Sequence, residues 1–301
     1  MVYPTGQWSI VNGQKSSAKA LWCTLRVNGQ WSKVKSQKMS RVYAKKSYGQ
    51  HFLRDESIAE RVSEGLLQAG KIGLVLEVGP GTGMLTKYLL KHKEYETYAV
   101  EADQDMVDFL VKNYPEFAPQ RVTFKDFLDF DPKPLFAEKQ FCLIGNFPYN
   151  ISTQILFKLL EWRDQIPEMV GMFQKEVADR IVSPPGSRVY GITSVLAQAF
   201  YDTEYLFTVE QKAFNPPPKV LSAVIRLTRK DGFVLGCDEN LFRQLVKTAF
   251  NQRRKMLRNT LKPFFPTELL MEDPYFQQRP EQLGWEAYVQ LAAKVSGEKG
   301  D

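Results

Sequence analysis

The run Leu74-Val75-Leu76-Glu77-Val78-Gly79-Pro80-Gly81-Thr82-Gly83 restricts the folds open to this chain more than any other stretch. Four apolar residues around one acid, too few for a buried helix, read as a strand covered on both faces. The glycines then break that strand into a tight turn before the helical stretch Met84–Lys91. Strand, glycine turn and helix in this order form a cradle for a nucleotide-like ligand, because glycine lets the backbone approach closely and take φ > 0. The spacing is G-x-G-x-G, not the G-x-G-x-x-G of dinucleotide sites, and no Lys-Ser/Thr pair follows as in a P-loop. Further strands are expected near 95–100, 121–125, 141–145, 168–174, 204–210 and 220–228, with helical patterns between most of them. Such alternation makes a mainly parallel sheet with both faces covered. The Pro216–Pro218 turn is too short for a crossover helix, so the last two strands should be antiparallel.

Three strand ends carry chemistry. Glu101 closes the second strand 22 positions after Gly79, where a carboxylate can accept from ribose hydroxyls. Asp126 follows the third and could accept from an adenine amine. The fourth, Phe141-Cys142-Leu143-Ile144-Gly145, runs into Asn146-Phe147-Pro148-Tyr149. An exocyclic adenine amine is a poor nucleophile until acceptors pull its N–H groups out of the ring plane. Asn146 offers a side-chain carbonyl, and the Phe147 carbonyl beside Pro148, which has no N–H, offers a second. Tyr149 offers a flat face for the base, and such stacking is worth roughly 1–3 kcal/mol. Taken alone, N-x-P-Y is also what a strand ending in a proline turn looks like; the other strand ends make the chemical reading.

These motifs, in the order Gln50-His51-Phe52-Leu53, Glu77 to Gly83, Glu101, Asp126 and Asn146-Phe147-Pro148-Tyr149, resemble the S-adenosylmethionine-dependent rRNA adenine N6,N6-dimethyltransferases of the KsgA type. Phe214-Asn215-Pro216-Pro217-Pro218-Lys219-Val220 and Phe250-Asn251-Gln252-Arg253-Arg254-Lys255-Met256-Leu257-Arg258-Asn259 extend the resemblance from about Lys45 to the C-terminus. It implies a class I methyltransferase, Rossmann-like, with a seven-stranded mostly parallel sheet and a small C-terminal helical domain. It implies that His51, where Asn is commoner, and Leu53 line the S-adenosyl-L-methionine site with Gly79, Gly81, Gly83, Glu101, Asp126 and Asn146. Phe214 would close the second face of the target base. The substrate implied is two neighbouring adenines near the 3′ end of small-subunit rRNA, met on a partly assembled 30S subunit. Leu221, where the family often has Asp, is a departure without an expected chemical effect.

Charge sorts the partners. Net charge is +6, but residues 1–54 hold ten Lys/Arg and no acid, so the other 247 residues carry 30 basic against 34 acidic side chains. One patch stands out: Arg243, Lys247, Arg253, Arg254, Lys255, Arg258 and Lys262, with no acid between Asn240 and Thr267. In an expected uninterrupted helix over 239–262, one face could join the core while Arg253, Arg254, Lys255 and Arg258 meet RNA phosphate. Shorter helical pieces near 267–272 and 284–295 follow between prolines. The expected organisation is 1–44 as a disordered or non-native extension with Met39 as the working start, 45–230 as the methyltransferase domain, and 231–301 as a helical RNA-binding domain.

Three unpaired-looking cysteines and two histidines provide no disulfide framework and no metal cluster, so no metal is expected. No apolar run approaches a membrane span. A cytoplasmic monomer that binds rRNA is expected. The rival readings are a 23S rRNA adenine methyltransferase, which generally lacks the 250–259 segment, a DNA adenine methyltransferase, and an assembly factor that keeps the fold without the chemistry.

Overall fold

The computed structural model describes residues 22–27, 30–35, 49–115, 117, 121–232 and 234–297. Backbone contacts divide the chain into two units, Met1–Tyr43 and Ala44–Asp301. In the first, β1 (Trp22–Val27) and β2 (Gln30–Lys35) pair antiparallel, Val27 opposite Gln30. The intervening Asn28-Gly29 is a sequence signal for a two-residue hairpin, which the expectation of a disordered or non-native 1–44 did not use. The expected start at Met39 and its basic lead lie outside the described residues.

The second unit begins with β3 (Phe52–Leu53), α1 (Glu56–Glu64), α2 (Ala69–Ile72), β4 (Leu74–Val78) and α3 (Thr86–Leu89). It continues with β5 (Glu96–Glu101), α4 (Gln104–Asn113), β6 (Val122–Phe124), α5 (Lys133–Phe136), β7 (Cys142–Asn146) and α6 (Ser152–Glu161). Then come β8 (Glu168–Gln174), α7 (Lys175–Val182), α8 (Ile192–Phe200), β9 (Tyr201–Val209), β10 (Phe214–Asn215) and β11 (Ser222–Arg229). α1 is capped by Asp55, whose carboxylate accepts from Ser57 N and Ile58 N.

Seven strands form one sheet in the order β6-β5-β4-β7-β8-β11-β9. Within this sheet the pairings are parallel except those of β11, antiparallel to both β8 and β9. The chain leaves β4 toward β5 and β6, then crosses back to β7. Strand order therefore reverses between β4 and β7, and a crevice opens at their carboxyl ends. Gly79 and Asn146 stand at that point on neighbouring strands.

Four further α-helices follow among the described residues: α9 (Glu239–Asn251), α10 (Leu257–Thr260), α11 (Thr267–Glu272) and α12 (Trp285–Gly297). Their buried Phe242, Leu245, Val246, Tyr288 and Leu291 belong to the same apolar cluster as Leu156, Phe173 and Val195 of the α/β layers. The continuous helix expected over 239–262 is interrupted. Gln252 leaves helical geometry at φ −128°, ψ 63°, and buried Leu257 is held by its N–H to the Gln278 carbonyl at 2.8 Å. Arg253, Arg254 and Lys255 consequently sit on a turn. Helical periodicity carried no sign of that tertiary bond.

The turn after β7 is anchored by a ring. Phe147 is 1% exposed and seats its ring over Gly145 and Gly171, which face each other across the β7–β8 ladder. A methyl group on Gly171 would lie 2.3 Å from Phe147 Cε2, and one on Gly145 would lie 2.7 Å from Cε1. Phe173 closes the slot edge-on, its centroid 5.1 Å from that of Phe147. Gly171→Ala is expected to destabilise the fold by about 1–3 kcal/mol through overpacking. Thermal unfolding checks this, and an unperturbed Tm would remove the slot as an anchor.

Candidate active site

A single cavity of about 240 Å³ lies at the carboxyl ends of β4, β5, β6 and β7. It is lined by ten of the residues expected from sequence: His51, Leu53, Gly79, Gly81, Glu101, Asp126, Asn146, Phe147, Pro148 and Tyr149. Gly79 and Gly81 take φ of +66° and +55°, and a methyl at Gly81 would press on the Phe52 ring at 3.1 Å. The turn therefore needs glycine for both conformation and room.

That turn also builds the acidic wall. Gly81 N–H donates to Glu101 Oε2 and Asp103 N–H to Glu101 Oε1, each at 3.0 Å. Both oxygens keep lone pairs for further donors. Glu101 is 6% exposed, and burial raises its pKa against the pull of these N–H groups. Glu77, 1% exposed on β4, accepts from Thr86 Oγ1 at 2.6 Å. Burial pushes its pKa up to about 8, and the Glu101 charge adds to the shift. Asp126 ends β6 and accepts from Leu128 N at 2.9 Å, fixing the short helical turn Phe127–Asp129.

The opposite end of the cavity is built from three segments. Asn146 Nδ2 donates to the His51 carbonyl at 3.0 Å, leaving Oδ1 as the acceptor end of the amide. Phe147 N–H donates to the Met172 carbonyl at 3.1 Å. Tyr149 hydrogen-bonds Ser222 through its hydroxyl, and its ring lies 5.3 Å from the His51 ring at 31°. His51 Nδ1 meets the Pro216 carbonyl at 2.8 Å. β3 pairs with β10, Leu53 opposite Phe214, so the 51–54 segment runs along 213–216. Two-residue strands leave no periodicity, which is why this pairing was not legible in sequence.

Two expected residues are not brought to the cavity. Gly83, at φ +77°, closes the turn through its N–H to Pro80 O, and a methyl there would meet Tyr114 at 2.4 Å. Phe214 is 3% exposed and belongs to the same buried apolar cluster as Leu53, Met172 and Val224, behind the cavity lining. Sequence reasoning assigned no role to Glu77, Gln50, Lys125 or Phe127, all of which line the cavity. Only Glu77, an acid inside a buried strand, carried a signal.

The buried Glu101 carboxyl, with no ion pair among the described residues, and the neutral Glu77 carboxyl beside it suit a cationic, hydroxyl-bearing nucleoside, and the glycine turn provides room for it. S-adenosyl-L-methionine fits that description. No group of His, Cys, Asp or Glu among the described residues could hold a metal ion. The Glu77 proton has a stability consequence. An unfolded chain loses it near 4.5, whereas the folded protein holds it to about 8. Between those values the folded state binds more protons, so stability falls as pH rises across the window. Glu77→Gln, which cannot ionise, is expected to raise Tm over wild type more at about pH 8.5 than at about pH 5; equal shifts at both would show that Glu77 carries no buried proton.

The basic quartet lies apart from the cavity. Arg253 donates to the Ser187 carbonyl at 3.2 Å and approaches Glu281 at 3.8 Å, and Arg258 donates to Gln277 at 2.7 Å. Arg254 and Lys255 are exposed and carry no ion pair among the described residues.

The family model described as Ribosomal RNA adenine dimethylase matches residues 41–273. Ribosomal RNA small subunit methyltransferase A of Flavobacterium johnsoniae is 53% identical over 260 residues, covering 86% of this chain and 98% of that protein. Its namesake in Cytophaga hutchinsonii is 51% identical over 259 residues, covering 86% and 100%. A crystal structure of a dimethyladenosine transferase from Plasmodium falciparum gives a TM-score of 0.70 at 24% identity, over 83% of this chain and 98% of that one. The 23S rRNA methyltransferase ErmE gives 0.60 at 23% identity, over 80% and 99%. The solved structures bear on the fold, a class I methyltransferase sheet with a helical C-terminal region. With half the residues of near-full-length relatives retained and the family model spanning most of the sequence, the chain belongs to the ribosomal RNA adenine dimethylase family.

Proposed function

We propose that the protein dimethylates N6 of two adjacent adenines near the 3′ end of small-subunit rRNA, in the cytoplasm, during 30S biogenesis. The observation that carries this reading is that one cavity runs from the acidic wall at Glu77, Glu101 and Asp126 to Asn146, Pro148 and Tyr149. A cofactor at one end and a base at the other would then share one cavity. S-adenosyl-L-methionine, when bound, supplies a methyl group on a cationic sulfur. Glu101 would accept from its ribose and Asp126 from its adenine amine, with Leu53 and Phe127 as apolar walls.

The protein's work is orientation, since an activated methyl donor leaves little covalent chemistry to the enzyme. Asn146 Oδ1, its amide fixed by the His51 carbonyl, accepts one N–H of the target amine, and the Phe147 carbonyl accepts the other. Tyr149 stacks the base, which must first leave its own stack at a cost of a few kcal/mol. No helix among the described residues is long and apolar enough to cross a membrane, and we read the active form as a monomer on the pre-ribosomal particle.

Asn146→Ala is expected to bind cofactor and RNA while transferring methyl groups at least about 100-fold more slowly, since misplacing a reacting group by about 1 Å costs that much. Mass spectrometry of rRNA from a deletion strain complemented with wild type or variant reads the outcome; full dimethylation at a normal rate would overturn the mechanism.

RNA contact divides the quartet. Arg254 and Lys255 face solvent and are free to meet phosphate, whereas Arg253 and Arg258 also hold the fold. Arg254→Gln with Lys255→Gln is expected to flatten the dependence of log affinity on log salt by about 0.7–0.9 per lost contact. Cofactor affinity should stay unchanged. Filter binding to 30S particles across a salt series checks this, and an unaltered slope would move RNA recognition elsewhere.

A further inference from the structure

We propose that Glu281 is a positioning residue for methyl transfer, tying the turn that carries Arg254 and Lys255 to the part of the α/β unit that carries the base site. The proposal rests on the reading of Arg254 and Lys255 as phosphate contacts. Two groups of bonds hold that turn. Leu257 N–H donates to the Gln278 carbonyl at 2.8 Å and Arg258 to Gln277 at 2.7 Å, and both bonds stay within the C-terminal helical region. Other contacts cross to the α7–α8 loop, and Glu281 takes part in two of them. Gly186 N–H donates to its main-chain carbonyl at 2.6 Å, and Arg253 Nε stands 3.8 Å from its Oε2. Arg253 Nη2 donates in turn to the Ser187 carbonyl at 3.2 Å. Glu281, Arg253 and the Gly186-Ser187 pair thus close a triangle.

The loop side of this triangle is stiff and leads straight to the site. Phe147 N–H donates to the Met172 carbonyl on β8, and β8 passes directly into α7, whose eight residues span about 12 Å. At the far end of α7 the Gln198 amide donates to the Ile181 and Ser183 carbonyls, two prolines follow, and Ser187 Oγ accepts from Val189 N and Tyr190 N. Motion at Gly186-Ser187 is therefore restricted, and the triangle passes that restriction to Arg253 and its neighbours Arg254 and Lys255. The carboxylate is the sensitive corner. Its side chain is 18% exposed, and Oε2 is buried without a hydrogen bond among the described residues. At 3.8 Å the link to Arg253 is charge attraction and not a hydrogen bond, and partial burial protects it from screening. Without that charge the guanidinium keeps one neutral carbonyl, for which water competes. The turn then stays on its own helices but loses its fixed distance from the base site.

Glu281→Gln keeps the shape and removes the charge, whereas Glu281→Asp keeps the charge and shortens the reach by one methylene. The Gln variant is expected to retain cofactor affinity by calorimetry, a Tm near wild type and the wild-type salt slope for 30S particles, because Arg254 and Lys255 are untouched. Its single-turnover methylation at saturating cofactor and particles should fall roughly 10-fold, since a reacting group held about 1 Å out of place costs up to about 100-fold. The Asp variant should recover most of that rate. Arg253→Gln combined with Glu281→Gln should be no slower than Arg253→Gln alone, as for two residues that act as one pair. A Glu281 that merely stabilises the fold would lower Tm and leave the saturated rate unchanged, which overturns the proposal. So would a Gln variant within twofold of wild type, an Asp variant no faster than Gln, or a double variant slower than Arg253→Gln. Failure of the underlying reading looks different: there Arg254→Gln with Lys255→Gln would leave the salt slope unaltered, whatever Glu281 does.

Discussion

The seating of Phe147 over Gly145 and Gly171 is the contact on which the site depends. Two glycines face each other on neighbouring parallel strands, and the slot they leave is filled by one ring. Because that ring is sunk in the core, the backbone on either side of it is fixed. Asn146 precedes it at the end of β7 and Pro148-Tyr149 follow it into the cavity wall. A motif that needs two acceptors and a stacking face within four residues thus has its most apolar member turned inward as an anchor. Core packing and amine geometry are the same feature seen from two sides.

Across the crevice, the constraint is electrostatic. Glu77 and Glu101 are buried on adjacent strands without a cation beside them among the described residues. The fold tolerates Glu101 by giving each oxygen a backbone N–H, and Glu77 by a hydroxyl and a retained proton. Burying two carboxyls this way opposes folding, since desolvation disfavours the charged form. The arrangement makes chemical sense for a wall that receives a positively charged nucleoside and its ribose.

The C-terminal helices show how one basic run can serve two ends. Arg253 and Arg258 are engaged with Ser187, Glu281 and Gln277, joining the turn to the α7–α8 loop and to the 274–282 segment. Arg254 and Lys255 point away. Similar residue types at adjacent positions are separated into fold and surface by the break after Asn251.

The sequence by itself determined the sheet, its single reversed strand and the placement of Gly79, Gly81, Glu101, Asp126 and Asn146 at strand ends. Those features follow from local rules: apolar runs of strand length, glycines where φ must be positive, and turns too short for a crossover. It could not place Phe214 or Gly83, because whether a side chain faces a cavity or the core is decided by partners far along the chain. Leu53 and Tyr114 are those partners here. Nor could it see the helix end at Asn251, where Leu257 reaches Gln278, or the two-residue pairing that brings His51 to Pro216. Periodicity reports which face of an element is apolar; only the packed structure decides what that face meets, because such contacts join segments whose separation in sequence leaves no local pattern.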